Sequence, residues 1–95
     1  MNIQDKIEYS EAGILSKQLI TGKVELTLMC LGAGTTIGDH TSTKEGFVYV
    51  VEGDGIFNLE GEEISMKPGV VIPLKKNAVH NLKARKNTSI LLALG

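Results

Sequence analysis

The sequence predicts an all-β domain, either a sandwich or a barrel. Eleven glycines interrupt its 95 residues at short intervals. The segments between them alternate polar with apolar residues or run apolar, and they are rich in β-branched side chains. No helix-length window repeats its apolar residues with the helical period of about 3.6. Short strands separated by turn signals, with no helix between them, are typical of a sandwich or a barrel.

The length of the chain suits one domain. At 95 residues it is expected to bury roughly 60–65% of the surface of the unfolded chain. Residues 1–12 are polar apart from Ile3 and Ile7, so we expect an N-terminal arm or a short edge strand there. Residues 13–95 are expected to form a single barrel domain.

The strand predictions rest on alternation and on β-branched composition. Residues 14–20 form the first predicted strand. In the second, residues 24–31, apolar and polar side chains alternate at first, as on a sheet with one buried face. The most strongly predicted strand is FVYVV at residues 47–51. Further strands are expected at residues 56–59, 62–67, 70–74, 78–84 and 89–94, which makes roughly nine or ten in all.

Short turn sequences separate these strands. A Gly-Asp-Gly sequence at residues 53–55 predicts a β-hairpin, because an Asp-Gly pair supplies the positive φ angles of a tight turn. Glu60-Gly61 and Pro68-Gly69 predict two further turns.

Composition excludes several classes of partner. The formal net charge of −1 gives no electrostatic reason to bind nucleic acid or an anionic membrane. Aromatic residues make up 4% of the chain, which is too few for a base-stacking platform. No apolar run is long enough to cross a membrane, and the first residues lack the apolar segment of a signal peptide. The lone cysteine, Cys30, excludes an intrachain disulfide, so we expect a cytoplasmic protein.

Two glycine-to-histidine spacings carry a family resemblance. Gly34 is followed by five residues and then His40, and a further glycine closes this stretch. Gly69 and His80 define a second stretch, with Asn77 where a turn glycine would stand. Asparagine tolerates the left-handed conformation of such a turn. The two stretches resemble the paired motifs of the cupin superfamily, which implies a double-sheet β-barrel of the jelly-roll type.

The resemblance implies a metal site with an incomplete set of ligands. In metal-binding cupins, three histidines and a glutamate from the two motifs hold one metal ion. His40 and His80 match two of these histidines, whereas Ser42 and Gly46 stand at the other two positions. The resemblance therefore implies at most one weakly held divalent transition metal (Zn, Fe, Mn or Ni), with His40 and His80 as its ligands. Two imidazoles are fewer than the three protein ligands usual at a catalytic zinc site.

Glu45 and Cys30 are the candidates for a third ligand. On a regular strand Glu45 faces away from His40, because successive side chains point to opposite faces. A one-residue bulge would reverse that direction, and without one Glu45 is an exposed charge. Cys30 would complete a set for a soft metal, but its place among apolar residues favours a small buried side chain.

A ligand pocket is the other interpretation of the same residues. We expect it to be lined by His40, Ser42, Val48, Val50 and His80. Each histidine also has a purely structural alternative. His40 could be solvated in a polar loop, and His80 could be a hydrogen-bonded histidine within an apolar strand. Their pairing at the motif spacing favours a shared cavity.

The FVYVV strand is apolar on both of its faces. If Val48 and Val50 point into the barrel, then Phe47, Tyr49 and Val51 make the opposite face apolar as well. A sheet with two apolar faces needs a second partner. We therefore expect a homodimer that packs through Phe47, Tyr49 and Val51, as many small cupins are dimers packed sheet to sheet.

These features leave three functions open. The first is a pocket around His40 and His80 that binds a small polar metabolite, with or without a weakly held divalent metal. The alternative is a metal-dependent small-molecule enzyme of the dioxygenase, isomerase or decarboxylase type, with both histidines as metal ligands. A less favoured third is a metal-independent isomerase or epimerase with a histidine as general base. This fold hosts unrelated functions, so the resemblance alone does not decide among them.

Overall fold

The chain folds almost entirely into strands, as the sequence predicted. The computed structural model describes residues 1–11 and 13–95, and Ala12, the last residue of the predicted arm, lies outside the described residues. A 3₁₀ helix spans Ile3–Lys6. Nine strands follow: β1 (Ile14–Ile20), β2 (Glu25–Leu31), β3 (Thr36–His40), β4 (Gly46–Glu52), β5 (Gly55–Leu59), β6 (Glu62–Met66), β7 (Val71–Leu74), β8 (His80–Ala84) and β9 (Thr88–Leu94).

The strands form two antiparallel sheets that pack face to face. One sheet has five strands in the order β1-β2-β9-β4-β7, and the other has four in the order β3-β8-β5-β6. From β6 onward each connection crosses from one sheet to the other. This is the double-sheet jelly-roll barrel that the sequence predicted. Within the described ranges, no helix is long and apolar enough to cross a membrane.

The observed strands lie where the sequence predicts them to within a few residues, with one addition. β3 (Thr36–His40) was not predicted as a strand, because TIGDH is short, largely polar and interrupted by a glycine. Residues 1–11 contain the 3₁₀ helix and no strand. The described part of the N-terminal arm is therefore not an edge strand.

The Gly-Asp-Gly turn at residues 53–55 is a corner and not the predicted hairpin. The strands before and after it, β4 and β5, lie in different sheets. Gly53 has a φ of 115°, and a Cβ there would overlap Thr88, so the corner requires glycine. The Thr88 hydroxyl accepts a hydrogen bond from the Asp54 amide at 3.1 Å. The hairpin prediction was wrong because a local turn sequence does not show which sheet the next strand joins. Here β5 joins the other sheet, and Thr88 of β9 contacts the turn.

Two other turn predictions are confirmed. Glu60 and Gly61 have φ angles of 49° and 83°, and they join β5 to β6 as a two-residue hairpin. Asn77 has a φ of 61°, the left-handed conformation that asparagine tolerates best after glycine.

The core lies between the two sheets. In β4, Val48 and Val50 are 2% and 0% exposed, so the even-numbered side chains of this strand face the interior as predicted. The buried cluster draws Leu31, Val48, Val50, Ile72, Leu74 and Ile90 from the five-stranded sheet, and Phe57, Met66, Leu82 and Ala84 from the four-stranded sheet.

The five-stranded sheet also buries apolar side chains on its outer face. In β2 the side chain that packs against the core is that of Met29, so its neighbours Leu28 and Cys30 face outward. The register pairs Leu28 with Leu91 and Cys30 with Ser89. Leu28 and Cys30 are nevertheless 0% exposed. A further layer must therefore cover this side of the sheet.

The N-terminal arm provides this layer. Lys17, which pairs with Leu28 in the register of β1 and β2, donates a hydrogen bond to the Lys6 carbonyl oxygen at 2.8 Å. The same ammonium group lies 2.7 Å from the Glu8 carboxylate. The arm is thus tied across the outer face of the sheet near β1 and β2.

Tyr9 of the arm packs near Ser89 of the sheet, and the hydroxyls of both residues are unpaired. Burial raises the pKa of Tyr9 to about 12, while nearby Ser89 opposes the shift and nearby Glu52 adds to it. Tyr9 Oη and Ser89 Oγ are both buried, and neither has a hydrogen-bond partner among the described residues. An unpaired buried hydroxyl costs about 1–3 kcal/mol, so this contact is weaker than its burial suggests.

The other end of the outer face is open. Phe47 is 43% exposed and Val71 is 56% exposed, and the two belong to the neighbouring strands β4 and β7. Tyr49 is the register partner of Val71, two residues after Phe47 in β4, and is half-buried. An apolar patch therefore continues beyond the area that the arm covers.

Candidate functional site

A cavity of about 200 Å³ opens between the two sheets at one end of the barrel. Apart from two histidines, every side chain in its wall is apolar. The wall consists of Met29, Ile37, His40, Val48, Phe57, His80, Leu82, Ile90 and Leu92. The cavity therefore combines an apolar interior with a small number of polar atoms, as small-molecule sites commonly do.

An irregularity in β3 brings His40 to this cavity. β3 carries one more residue between Ile37 and His40 than β8 has opposite them. Such a bulge lets side chains three positions apart line the same wall, as these two do. Gly38 lies in the bulge, where a glycine inside a strand is common. Asp39 accepts a hydrogen bond from the Asn81 side-chain amide at 2.9 Å, which ties the bulge to β8 from the outside.

His80, the first residue of β8, is fixed through one ring nitrogen. Its Nδ1 lies 3.1 Å from the carbonyl oxygen of Ala78. A carbonyl oxygen only accepts hydrogen bonds, so Nδ1 carries the proton and Nε2 of the neutral ring keeps its lone pair. Nε2 is therefore the atom through which His80 can bind a ligand.

The two imidazoles converge, and Phe57 supports one of them. His40 and His80 are direct partners in the register of β3 and β8, and their ring centroids lie 5.5 Å apart at an interplanar angle of 81°. The Phe57 ring stacks on the His80 ring with a centroid distance of 5.5 Å and an angle of 10°. His80 is half-buried and Phe57 is buried, whereas His40 is exposed. The pair thus has one fixed member and one member at the mouth of the cavity.

The predicted pocket residues only partly coincide with this wall. Both histidines and Val48 line the cavity. Val50 has the same inward direction but is packed into the core cluster, because the cavity occupies only one end of the barrel. Ser42 lies in the loop after β3, where its hydroxyl accepts a hydrogen bond from the Lys44 amide at 3.1 Å. Val50 and Ser42 therefore do not line this cavity.

Sequence reasoning missed most of the apolar wall, although a signal for part of it was present. In β5, Phe57 and Leu59 alternate with Ile56 and Asn58, and both of the former pack with the core. That alternation identifies Phe57 as inward-facing. Its contact with His80 depends on the pairing of β5 with β8, which no local pattern reveals.

Neither candidate third ligand lies with the histidines. Cys30 faces the outer side of β2 beside Ser89, whereas Met29 lines the cavity. Glu45 is exposed in the loop before β4, and the bulge of this region lies upstream of His40, where it does not turn Glu45 towards the cavity. The described residues contain no group of three or more His, Cys, Asp and Glu side chains that could hold a metal ion.

The metal site that the cupin resemblance implies does not fit the residues present. A catalytic zinc site usually has three protein ligands, and non-haem iron uses two histidines and a carboxylate. Gly46 stands where the glutamate would be, and a Cβ at this position would overlap the carbonyl oxygen of Ala93. β4 and β9 approach each other too closely at that point for any larger side chain. The carboxylate position is thus closed by backbone packing.

A wider cleft lies elsewhere on the surface and lacks groups for chemistry. It measures about 580 Å³ and is formed by Gly13, Ile14 and residues 33–36. Among its described residues, the side-chain polar groups are the hydroxyls of Thr35 and Thr36. The cavity with the two imidazoles is the candidate site because it combines an apolar wall with two convergent rings.

This architecture and sequence match a known protein family. Residues 27–94 match the sequence profile of the cupin domain. The chain belongs to the cupin family. The matched region runs from β2 to β9 and contains both histidines of the cavity. No curated protein is significantly similar to the chain in sequence.

Solved cupin structures share this barrel. A cupin superfamily protein from Desulfitobacterium hafniense has a TM-score of 0.91 at 16% identity, over 99% of this chain and 87% of that one. A cupin 2 conserved barrel domain protein from Leptotrichia buccalis has a TM-score of 0.91 at 27% identity, over 99% of this chain and 46% of that one. A variant of salicylate 1,2-dioxygenase from Pseudoaminobacter salicylatoxidans has a TM-score of 0.81 at 15% identity, over 97% of this chain and 29% of that one. Similar folds thus include an enzyme, but fold alone does not assign its activity here.

Proposed function

We propose that this cupin is a small-molecule binding module whose ligand occupies the cavity and contacts His40 and His80. The observation that carries the proposal is the convergence of the two imidazoles, 5.5 Å apart, at a cavity of about 200 Å³. The apolar wall provides burial for the body of a ligand, and the ring nitrogens provide directional hydrogen bonds. His40, at the mouth, is placed to meet a ligand as it enters.

A fragment screen by amide NMR tests the binding function. We expect at least one class of small molecule to shift the resonances of the cavity wall in a saturable way. His40→Ala and His80→Ala should each weaken that binding, while Lys83→Ala, on the outward side of β8, should leave it unchanged. Shifts confined to other surfaces, or no saturable shifts from any fragment, would contradict the proposal.

A metal-dependent enzyme of the dioxygenase, isomerase or decarboxylase type is the second candidate. It is favoured by the tie of His80 Nδ1 to the Ala78 carbonyl oxygen, because metal-ligating histidines commonly donate their second ring N–H in this way. Against it stands the donor set, which supplies two imidazoles and no third ligand among the described residues. Two imidazoles alone support at most weak binding of a divalent ion.

Metal analysis separates the two candidates. Protein purified without a histidine tag is compared with its His40→Ala and His80→Ala variants by elemental analysis. Near-stoichiometric metal in the wild-type protein that is lost in both variants would support the enzyme. A wild-type protein with only trace metal, combined with saturable fragment binding, would support the binding module.

We further propose that two copies of the chain pack through the open part of the outer face, around Phe47, Tyr49 and Val51. Support comes from the exposure of Phe47 at 43% and from the apolar neighbour Val71 at 56%. Val51 lies at a second bulge, since β4 has one more residue than β9 between Val50 and Glu52. It therefore stands at the border of this patch, next to the area that the arm covers.

Light scattering of a charge variant tests the homodimer. Tyr49→Lys places a charge in the centre of the patch, so we expect the mass to fall from that of a dimer to that of a monomer. Ser65→Lys, at an exposed position of β6 in the other sheet, is the matched control and should leave the mass unchanged. A mass that is the same in the wild-type protein and in Tyr49→Lys would argue against this interface.

We place this module in the cytoplasm. Cys30 is a free, buried cysteine beneath the N-terminal arm. A small domain that contains no disulfide is typical of a reducing compartment.

A further inference from the structure

We infer that the cavity takes a compact, uncharged and mostly apolar molecule with a single hydroxyl group, about the size of a substituted six-membered ring. This inference rests on the binding function proposed above and names the class of its ligand. It changes the expectation of a polar metabolite that the sequence suggested.

The volume limits the ligand to roughly one ring and a substituent. The cavity measures about 200 Å³. An apolar cavity of about 150 Å³ in another protein accommodates benzene. The present cavity therefore has room for a ring of six carbons with one or two further heavy atoms, and a larger ligand would have to project past His40 into solvent.

The wall excludes molecules with many polar groups. Its apolar side chains come from both sheets, with Met29 and Leu92 on one side and Ile37 and Leu82 on the other. A sugar that entered would leave most of its hydroxyls without partners, and each unpaired hydroxyl in an apolar site is unfavourable. The wall thus selects against the ligand class that carries several hydroxyls.

The free ring nitrogen of His80 determines which polar group the ligand carries. His80 donates through Nδ1 to the Ala78 carbonyl oxygen, so its neutral ring offers an acceptor at Nε2. A ligand must therefore present a hydrogen-bond donor at that point. A hydroxyl is such a donor, whereas a carbonyl group is not, and an aliphatic amine would bring a positive charge into an apolar cavity.

The same wall disfavours anionic ligands. It contains no lysine, arginine or other permanently charged side chain, and its only ionisable groups are the two imidazoles. A carboxylate buried there would lack the cation or the set of donors that compensates for the loss of water. A weakly acidic or neutral hydroxyl, such as that of a phenol or a cyclic alcohol, avoids this cost.

A set of four probes tests the inference on the isotope-labelled full chain at pH 7.5. Phenol, toluene, benzoate and glucose are titrated separately and followed by amide NMR. We expect phenol to shift the cavity wall in a saturable way and toluene to bind about 3–10-fold more weakly, which is the value of one net hydrogen bond. Benzoate and glucose should give no saturable shifts at these residues.

His80→Phe identifies the atom responsible. This variant keeps a ring that can stack on Phe57 but removes the acceptor, so the preference for phenol over toluene should disappear. If the variant does not fold, anisole replaces it as the test, because anisole has the ring and the oxygen of phenol without the hydroxyl proton. In the wild-type protein anisole should then bind no better than toluene.

The possible outcomes separate this inference from the proposed function. Tighter binding of benzoate or glucose than of phenol at the cavity wall overturns the ligand class and leaves the binding function standing. Equal affinity for phenol, toluene and anisole overturns the role of His80. If none of the four probes binds, the ligand class is wrong, and the binding function then depends on whether the fragment screen finds another ligand.

Discussion

The two faces of the five-stranded sheet are both apolar, but they are covered in different ways. The inner face packs against a second sheet and buries side chains such as Ile72 to 0% exposure, except at its edge strand β1, where Ile14 is 40% exposed. The outer face is covered at β1 and β2 by the N-terminal arm and is open at β4 and β7, where Val71 is 56% exposed. The cavity lies on the side that the second sheet covers, and the proposed dimer interface lies on the side that the arm partly covers.

The proposed binding site and the proposed dimer interface would thus use opposite faces of one sheet. A cover made of a second sheet is built from many strand pairings, so it is rigid enough to hold two imidazoles in register. A cover made of an arm is held by a few contacts, two of which involve Lys17. At Tyr9 this cover also includes unpaired buried hydroxyls. We therefore expect substitutions on the inner face to have larger effects than matched ones on the outer face.

The largest difference in stability is expected between alanine substitutions at two neighbouring residues of β7 whose side chains point to opposite faces of the sheet. Ile72→Ala removes a side chain that is 0% exposed and should lower the free energy of unfolding by about 2–5 kcal/mol. Val71→Ala, next to it but 56% exposed, should change it by less than about 0.5 kcal/mol in dilute protein. Urea unfolding followed by circular dichroism measures both.

This pair also probes the proposed dimer. If two copies cover Val71, the cost of Val71→Ala should grow with protein concentration, because the dimer contributes stability only when it forms. Equal costs for the two substitutions at every concentration would contradict the difference between the faces.

The next effect concerns the close approach of β4 and β9 at the end of the inner face. Gly46→Ala places a Cβ against the Ala93 carbonyl oxygen, so the strands must separate, at a cost of about 1–3 kcal/mol. Gly38→Ala is the matched control, since a Cβ there meets nothing within 4 Å. Thermal or urea unfolding compares them. A Gly46→Ala protein as stable as the Gly38→Ala protein would show that the carboxylate position is open after all.

The smallest effect is expected at the arm. Tyr9→Phe removes one unpaired buried hydroxyl, so it should raise the free energy of unfolding at pH 7 by about 1 kcal/mol. Tyr49→Phe, on the same face, is the control and should be close to neutral. A loss of stability in Tyr9→Phe would mean that this hydroxyl is hydrogen-bonded in solution.

The pH dependence of the free energy of unfolding of Tyr9→Phe provides a second test. The pKa of Tyr9 is raised from 10.0 to about 12, so the folded protein holds this proton more tightly than the unfolded chain does. The contribution of Tyr9 is fully present below pH 10 and is lost as the pH rises towards 12. The wild-type protein should lose stability faster than Tyr9→Phe between these values, as measured by urea unfolding at pH 9 and pH 11. Parallel losses in the two proteins would contradict the buried position of the hydroxyl.

Much of the barrel was predictable because strand formation leaves local signals. Alternation and β-branched composition located eight of the nine strands, and positive-φ residues such as Asn77 marked true turns. The exception, β3, has a polar sequence whose strand conformation depends on its pairing with β8. The Gly-Asp-Gly corner shows the opposite case, in which a correct turn signal says nothing about which sheet the next strand joins.

The candidate site was predictable only in outline. The spacing of His40 and His80 within the cupin motifs suggested that they share a cavity, and they do lie together. Ser42 was expected in the pocket because it shares strand parity with His40, but β3 ends at His40 and Ser42 lies in the loop that follows. The apolar character of the wall was not foreseen, since it comes from strands of both sheets that meet only in the folded barrel.

The sequence by itself predicted a cupin-like barrel, eight of its nine strands, two histidines at motif positions and an incomplete set of metal ligands. These properties follow from residue types and short spacings, which act within a few neighbours along the chain. The tertiary structure alone decided where the bulges fall, which nitrogen of His80 is free, what lines the cavity and how much of the outer sheet the arm covers. Those outcomes depend on contacts between residues that are distant in sequence and adjacent only after folding.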